Sequence, residues 1–136
     1  MRSPVVAAAA GLLAAPALAQ NLTGTLKKIK SSGVITIGHR ESSVPFSYYD
    51  DKQQVFIGYS MDLCYRLVEA VKRELKLAKL EVKLVPVSSA TRLPLMINGT
   101  VDLECGSTSN NLERQAQVAF TVTHYVTTSR FVSKAA

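Results

Sequence analysis

Three strand-like runs, residues 34–38, 81–85 and 101–104, alternate along the chain with helical patterns, and this alternation restricts the fold more than any other feature. Val34, Ile35 and Ile37 leave almost no polar position in the first run, as in a strand covered on both faces. Between the first two runs, Leu63, Leu67, Val71 and Leu75 recur at i, i+4, i+8 and i+12 beside Cys64 and Val68. Arg66, Glu69, Lys72, Arg73 and Lys76 fill the opposite side, so residues 60–77 read as an amphipathic helix with Ser60 as its cap. A shorter helix is expected over residues 92–98, capped by Thr91, with Pro94 in its first turn and Gly99 at its end. Residues 112–118 are expected to form a third, with Asn110 as N-cap and Glu113 as reciprocal partner. Strand, helix, strand, helix, strand, helix predicts an α/β fold built on a mostly parallel sheet flanked by helices, with right-handed crossovers. At 136 residues the chain suits one domain.

The remaining segments fit around that frame. Residues 25–30 read as a brief helix stopped by Ser31, Ser32 and Gly33. Two β-rich pieces, residues 45–49 and 55–59, flank a polar turn at residues 50–52, as in a small hairpin over the sheet edge. Residues 125–132 read as a further strand. At the other end, Arg2 precedes an apolar, alanine-rich run from Val5 to Leu18, and Ala17, Leu18 and Ala19 form a small-x-small site before Gln20. Residues 1–19 are therefore expected to be a cleaved secretory signal, the run being too short and too broken by Pro4 and Pro16 for an anchor. Export changes the meaning of Cys64 and Cys105. In an oxidising compartment Cys64, on the apolar side of its helix, and Cys105, ending a strand that this helix covers, suit a disulfide; two buried free thiols are the alternative.

Open α/β sheets bind ligands beyond the carboxyl ends of their strands. Three segments meet that condition, residues 39–43, 88–92 and 106–114, and each brings one arginine: Arg40, Arg92 and Arg114. Ser107, Thr108 and Ser109 add hydroxyls at a turn that precedes a helix start, an arrangement suited to a carboxylate. A capped turn with a solvated arginine would look the same locally. The formal charge of +6 is spread among acidic residues, with no basic stripe for nucleic acid. His39 and His124 lack metal-ligand spacing, and neither metal nor cofactor is expected.

The stretches Gly33-Val34-Ile35-Thr36-Ile37-Gly38-His39-Arg40-Glu41-Ser42-Ser43-Val44-Pro45-Phe46-Ser47-Tyr48-Tyr49, Asn98-Gly99-Thr100-Val101-Asp102-Leu103-Glu104-Cys105-Gly106-Ser107-Thr108 and Asn110-Asn111-Leu112-Glu113-Arg114 resemble the periplasmic glutamate/aspartate-binding proteins of polar amino-acid ABC importers, in solute-binding protein family 3. The resemblance implies a periplasmic-binding-protein-like (type II) lobe, one of two that close on a ligand and deliver it to a membrane permease. It implies that Arg114 holds the ligand's α-carboxylate, that Ser107 and Ser109 seat its main-chain groups, and that Arg40, Ser89 and Arg92 face the side-chain carboxylate. Three arginines fit a dicarboxylate, glutamate or aspartate, better than a neutral amino acid. Phe46 is open to two roles, packing on the ligand's aliphatic part or joining the core.

Ser109 stands where the family often has threonine, which keeps the hydroxyl. Family members are longer, so the resemblance divides this chain into a signal peptide over 1–19, a first lobe over 20–124 and the start of a hinge strand over 125–136. On that reading the second lobe is absent and ligand binding is impaired. A periplasmic enzyme on the same fold, such as a dehydratase, would need a positioned acid or base, for which only Glu41 and His39 offer themselves. A sensor lobe would need a transmembrane segment after the hinge. A binding protein, not an enzyme, touching the membrane only through its permease, is the expectation.

Overall fold

The structure, a computed structural model, describes residues 22–128 and 130–134, so the expected signal peptide lies outside the described residues. Helix α1 (Gly24–Ser32) leads through Gly33, whose positive φ of 68° closes the helix, directly into strand β1 (Val34–His39). Three short strands follow, β2 (Ser42–Ser43), β3 (Ser47–Asp50) and β4 (Val55–Ile57), and then the long helix α2 (Tyr59–Glu74). Strand β5 (Glu81–Pro86), helix α3 (Arg92–Ile97), strand β6 (Leu103–Cys105) and helix α4 (Leu112–Gln115) complete the order. β1 is the centre of a parallel sheet of order β5-β1-β6, and β2-β3-β4 form a separate antiparallel sheet. The expected parallel α/β frame and the hairpin are both present.

The central position of β1 explains its sequence. Ile35 and Ile37 are almost wholly buried, and with Ile29, Met61, Cys64, Val68, Leu75 and Cys105 they form the core between the sheet and α1 and α2. Burial on this scale stabilises by about 1.5–3 kcal/mol for each large side chain. The buried line on α2 runs through Met61, Cys64 and Val68. Leu67, expected on the buried stripe, is 40% exposed, because it lines an open cavity and not the core. Cys64 and Cys105 are joined by the expected disulfide, which ties α2 to the end of β6.

At the opposite end of the sheet Lys28 of α1 reaches Asp102, Nζ to Oδ1 2.9 Å, while Asp102 Oδ2 accepts from the Thr36 N–H at 2.9 Å. The Asp102 N–H in turn donates to the Thr36 carbonyl at 2.8 Å, fixing how β6 meets β1.

Four local expectations are corrected. Ser60 lies inside α2, whose N-cap position is Gly58 at φ 130°; a Cβ at that position would meet the Phe46 carbonyl oxygen at 2.5 Å, so the hairpin can approach only a glycine there. Ser60 instead donates to the Gly106 carbonyl at 2.8 Å. Thr91 occupies the expected N-cap position of α3 but with helical φ and ψ and no side-chain bond to that helix; its hydroxyl accepts from the Ser88 N–H at 2.9 Å, serving the turn before α3. The cap of α4 is Asn111, whose Oδ1 accepts from the Arg114 N–H at 2.9 Å. With the cap one residue later than expected, Glu113 falls too early in the first turn to reach back. α4 itself spans four residues where seven were expected. Finally, the described residues among 125–132 form no strand. A strand persists only as half of a ladder, and here Tyr125 packs edge-on against Phe46, ring centroids 4.8 Å apart, while the Tyr59 hydroxyl donates to the His124 carbonyl. Phe46 thus joins an aromatic group with Tyr59 and Tyr125.

Candidate functional site

All three parallel strands end on one rim, and the loop or helix after each carries one of the expected arginines. Arg40 follows β1. Its backbone is held on both sides by the fully buried Ser47, whose hydroxyl accepts from the Arg40 N–H at 2.9 Å and donates to the Arg40 carbonyl at 2.9 Å. The guanidinium is thereby aimed along the rim, where Nη1 donates to the Ser89 hydroxyl at 3.1 Å.

Ser89 sits in the exposed turn after β5, which organises itself. The Ser88 hydroxyl accepts from the Ala90 and Thr91 N–H groups at 3.2 and 3.1 Å. This turn delivers Arg92 at the start of α3 with only 8% of its surface exposed. Burial lowers its pKa from the ordinary value; Glu104 opposes that shift, while Arg114 and Arg40 add to it. Each guanidinium is therefore within electrostatic reach of Arg92, and the three sequence-expected arginines are brought together. Arg92 Nε is buried without a hydrogen-bond partner.

The loop after β6 supplies the rest. Gly106 is held by Ser60, Ser107 pairs its hydroxyl with that of Ser43 at 2.7 Å, and Arg114 folds back so that Nη1 donates to the Ser109 carbonyl at 2.8 Å. Ser109 thus meets Arg114 through its main chain, leaving its exposed side chain to the rim. α4 is too short for its dipole to matter much, so the positive character here comes from side chains, not from the helix N-terminus expected to contribute.

Sequence reasoning passed over Glu104. Its carboxyl lies among the arginines, with Oε1 buried and unpartnered. Burial raises its pKa, and Thr108, Arg92, Arg40 and Arg114 pull it back down. Gly106 makes the approach possible: a Cβ there would collide with Glu104 Oε1 and lie 2.9 Å from Arg40 Cγ. An acidic residue in a short strand of the parallel sheet was the available signal. Ser43 was also overlooked as a partner for Ser107.

His39 is almost fully buried, its ring centroid 3.8 Å from that of Phe56 with the planes tilted by 46°, and burial lowers its pKa. Glu41 is exposed. Beside the rim, a cavity of about 320 Å³ opens between α2, α3 and residues 118–124. Leu63, Leu93, Met96 and Phe120 make it largely apolar, and of the three arginines only Arg92 lines it. Among the described residues no helix is long and apolar enough to cross a membrane.

Comparison with known proteins agrees with this architecture. The chain is 56% identical over 125 residues to the L-glutamate/L-aspartate-binding protein of Pseudomonas aeruginosa, covering 92% of this chain and 41% of that one. It is 53% identical over 129 residues to the glutamate/aspartate import solute-binding protein of Escherichia coli K12, covering 95% and 42%. The chain therefore spans about two fifths of the length of these relatives. Among solved structures, a mutant of the arginine-bound form of domain 1 from TmArgBP superposes with a TM-score of 0.59 at 23% identity, covering 74% of this chain and 71% of that one. A solute receptor for L-cysteine of Neisseria gonorrhoeae gives 0.61 at 27% identity, with 71% and 37% covered. Residues 35–136 match the bacterial extracellular solute-binding proteins, family 3, and the chain belongs to that family.

Proposed function

We propose that this chain carries the cationic face of a solute-binding site for glutamate or aspartate, and that the protein passes its ligand to the permease of an ABC importer. The observation that carries this reading is the gathering of Arg40, Arg92 and Arg114 on one rim, each from the loop or helix after a different parallel strand. A dicarboxylate amino acid presents two anionic groups, and planar guanidinium forks recognise carboxylates by geometry as well as charge. Arg114, supported by Ser107 and Ser109, takes the α-carboxylate; Arg40, Ser89 and Arg92 take the side-chain carboxylate. The printed names of the relatives in Pseudomonas aeruginosa and Escherichia coli support this choice of ligand and the role in import.

Binding without turnover is the expected activity. A catalytic alternative would draw on His39, which is buried against Phe56, or on Glu41, which faces solvent. We place the protein in the periplasm, exported with loss of residues 1–19; an intact mass retaining Val5 to Leu18 would count against cleavage. The function is tested by binding of labelled L-glutamate to the purified chain, with competition by aspartate, glutamine and lysine. Competition by aspartate with recovery of unaltered ligand is expected, whereas equal competition by lysine, or conversion of the glutamate, overturns the reading.

A further inference from the structure

The three arginines leave one group of their own site unexplained. Glu104 puts an acid where an anion is to be bound. Among the described residues three buried polar side-chain atoms without a hydrogen-bond partner belong to this one spot: Glu104 Oε1, Thr108 Oγ1 and Arg92 Nε. The carboxylate also makes no contact ion pair, since the one salt bridge among the described residues is Lys28 with Asp102. Its positive neighbours act on it from a distance, and its own burial opposes its charge more strongly than they favour it.

We propose that a carboxylate ligand settling on Arg40, Arg92 and Arg114 drives a proton onto Glu104, so that the site takes up its anion and a proton together. The proposal rests on the arginine reading above. In the empty site the charges that keep Glu104 ionised are Arg92 from α3, Arg40 from the loop after β1 and Arg114 from α4. Of the other neighbours, β1 sets Gly38 beside Glu104 in register, α2 contributes the Ser60 hydroxyl through Gly106, the loop after β6 contributes Thr108, and His124 lines the cavity that Glu104 also borders. A bound dicarboxylate spends those three cations on itself and adds negative charge beside Glu104. Desolvation is then opposed by the Thr108 hydroxyl alone, and the carboxyl takes a proton from solvent onto an oxygen. His39 belongs to the alternate residues of β1, paired with Cys105 in register and packed against Phe56, and Glu41 and Glu113 are exposed.

The sign follows by linkage. Where Glu104 is ionised in the empty chain, affinity rises as pH falls, approaching about tenfold per pH unit if one full proton is taken up. Calorimetry with L-glutamate, and separately with succinate, in two buffers of different ionisation heat reads the proton count directly. The wild-type chain is expected to take up a proton on binding, and Glu104→Gln to bind with that uptake lost. Binding by the wild type with no buffer-dependent heat overturns the proposal alone, as does uptake that persists in Glu104→Gln. Absence of binding of both glutamate and succinate by the wild type overturns the arginine reading and this proposal with it. If Glu104→Gln does not fold, the carboxyl carbon resonance of Glu104 decides, followed against pH with and without glutamate in the labelled wild-type chain. Its titration should move to higher pH with ligand, and an unmoved curve overturns the proposal.

Discussion

Arg40 donates from Nη1 to the hydroxyl of Ser89 at 3.1 Å, joining the loops that follow two neighbouring parallel strands. That bond restrains a long side chain whose freedom would otherwise have to be lost on ligand binding. Ser89→Ala is therefore expected to weaken glutamate binding by roughly 1 kcal/mol, and Ser89→Thr to retain most of it. Calorimetry on the two variants checks this; an unchanged affinity in Ser89→Ala would remove Ser89 from the site.

Arg114→Ala should cost far more than Arg66→Ala. The first leaves a ligand carboxylate without its guanidinium, about 2–5 kcal/mol, while Arg66 is an exposed residue of α2 whose removal should stay below about 1 kcal/mol. Equal losses in side-by-side titrations would refute the role given to Arg114.

The three arginines were legible because strand ends in a parallel sheet define a rim and the sequence places one arginine just beyond each. Glu104 was not, since its meaning depends on a side chain folded back over Gly106, which strand periodicity does not encode. Two caps were misplaced for a related reason. Ser60 and Asn110 have the right chemistry for a helix start, but a tertiary partner claimed Ser60 and Asn111 reached the backbone first; Thr91 holds its expected cap position, with its hydroxyl turned to the preceding turn. The strand expected over residues 125–132 had suitable composition, yet pairing is a long-range property that no local pattern supplies.

Without ligand, Glu104→Gln should stabilise the chain at neutral pH. The folded-state pKa of Glu104 is raised, so its contribution is fully present below the unfolded value and lost as pH rises through the folded one. The variant keeps the neutral form's shape at every pH. Urea unfolding at acid and neutral pH should show wild type and variant converging on the acid side, with the variant ahead at neutral pH; the reverse order would contradict the assigned shift.

Asp102→Ala should be worse tolerated than Lys28→Met. Asp102 is buried and satisfies the Thr36 N–H, which the alanine would leave without a partner at a cost of about 1–3 kcal/mol. Lys28 is half exposed, and its ion pair should contribute less than about 1 kcal/mol. Chemical denaturation of the two variants, with amide exchange at Thr36, provides the comparison.

Replacing Cys64 and Cys105 together by serine should lower stability by roughly 4 kcal/mol in the chain-entropy account of a loop this long, their separation being 41 residues. Denaturation of the wild type with and without reductant should give a similar difference. A negligible one would mean that the packing of α2 on β6 suffices alone.

The Cys64–Cys105 bond also makes the chain topologically unequal. It closes a covalent ring that contains β5, Ser89 and Arg92, whereas Arg40 and Arg114 lie on the tails that leave it. A protease that nicks the exposed turn at residues 88–91 would therefore release nothing, because both fragments stay tethered through the sulfurs until a reductant is added. One of the three rim arginines is thus carried on a ring that can be cut and still remain attached beside the other two.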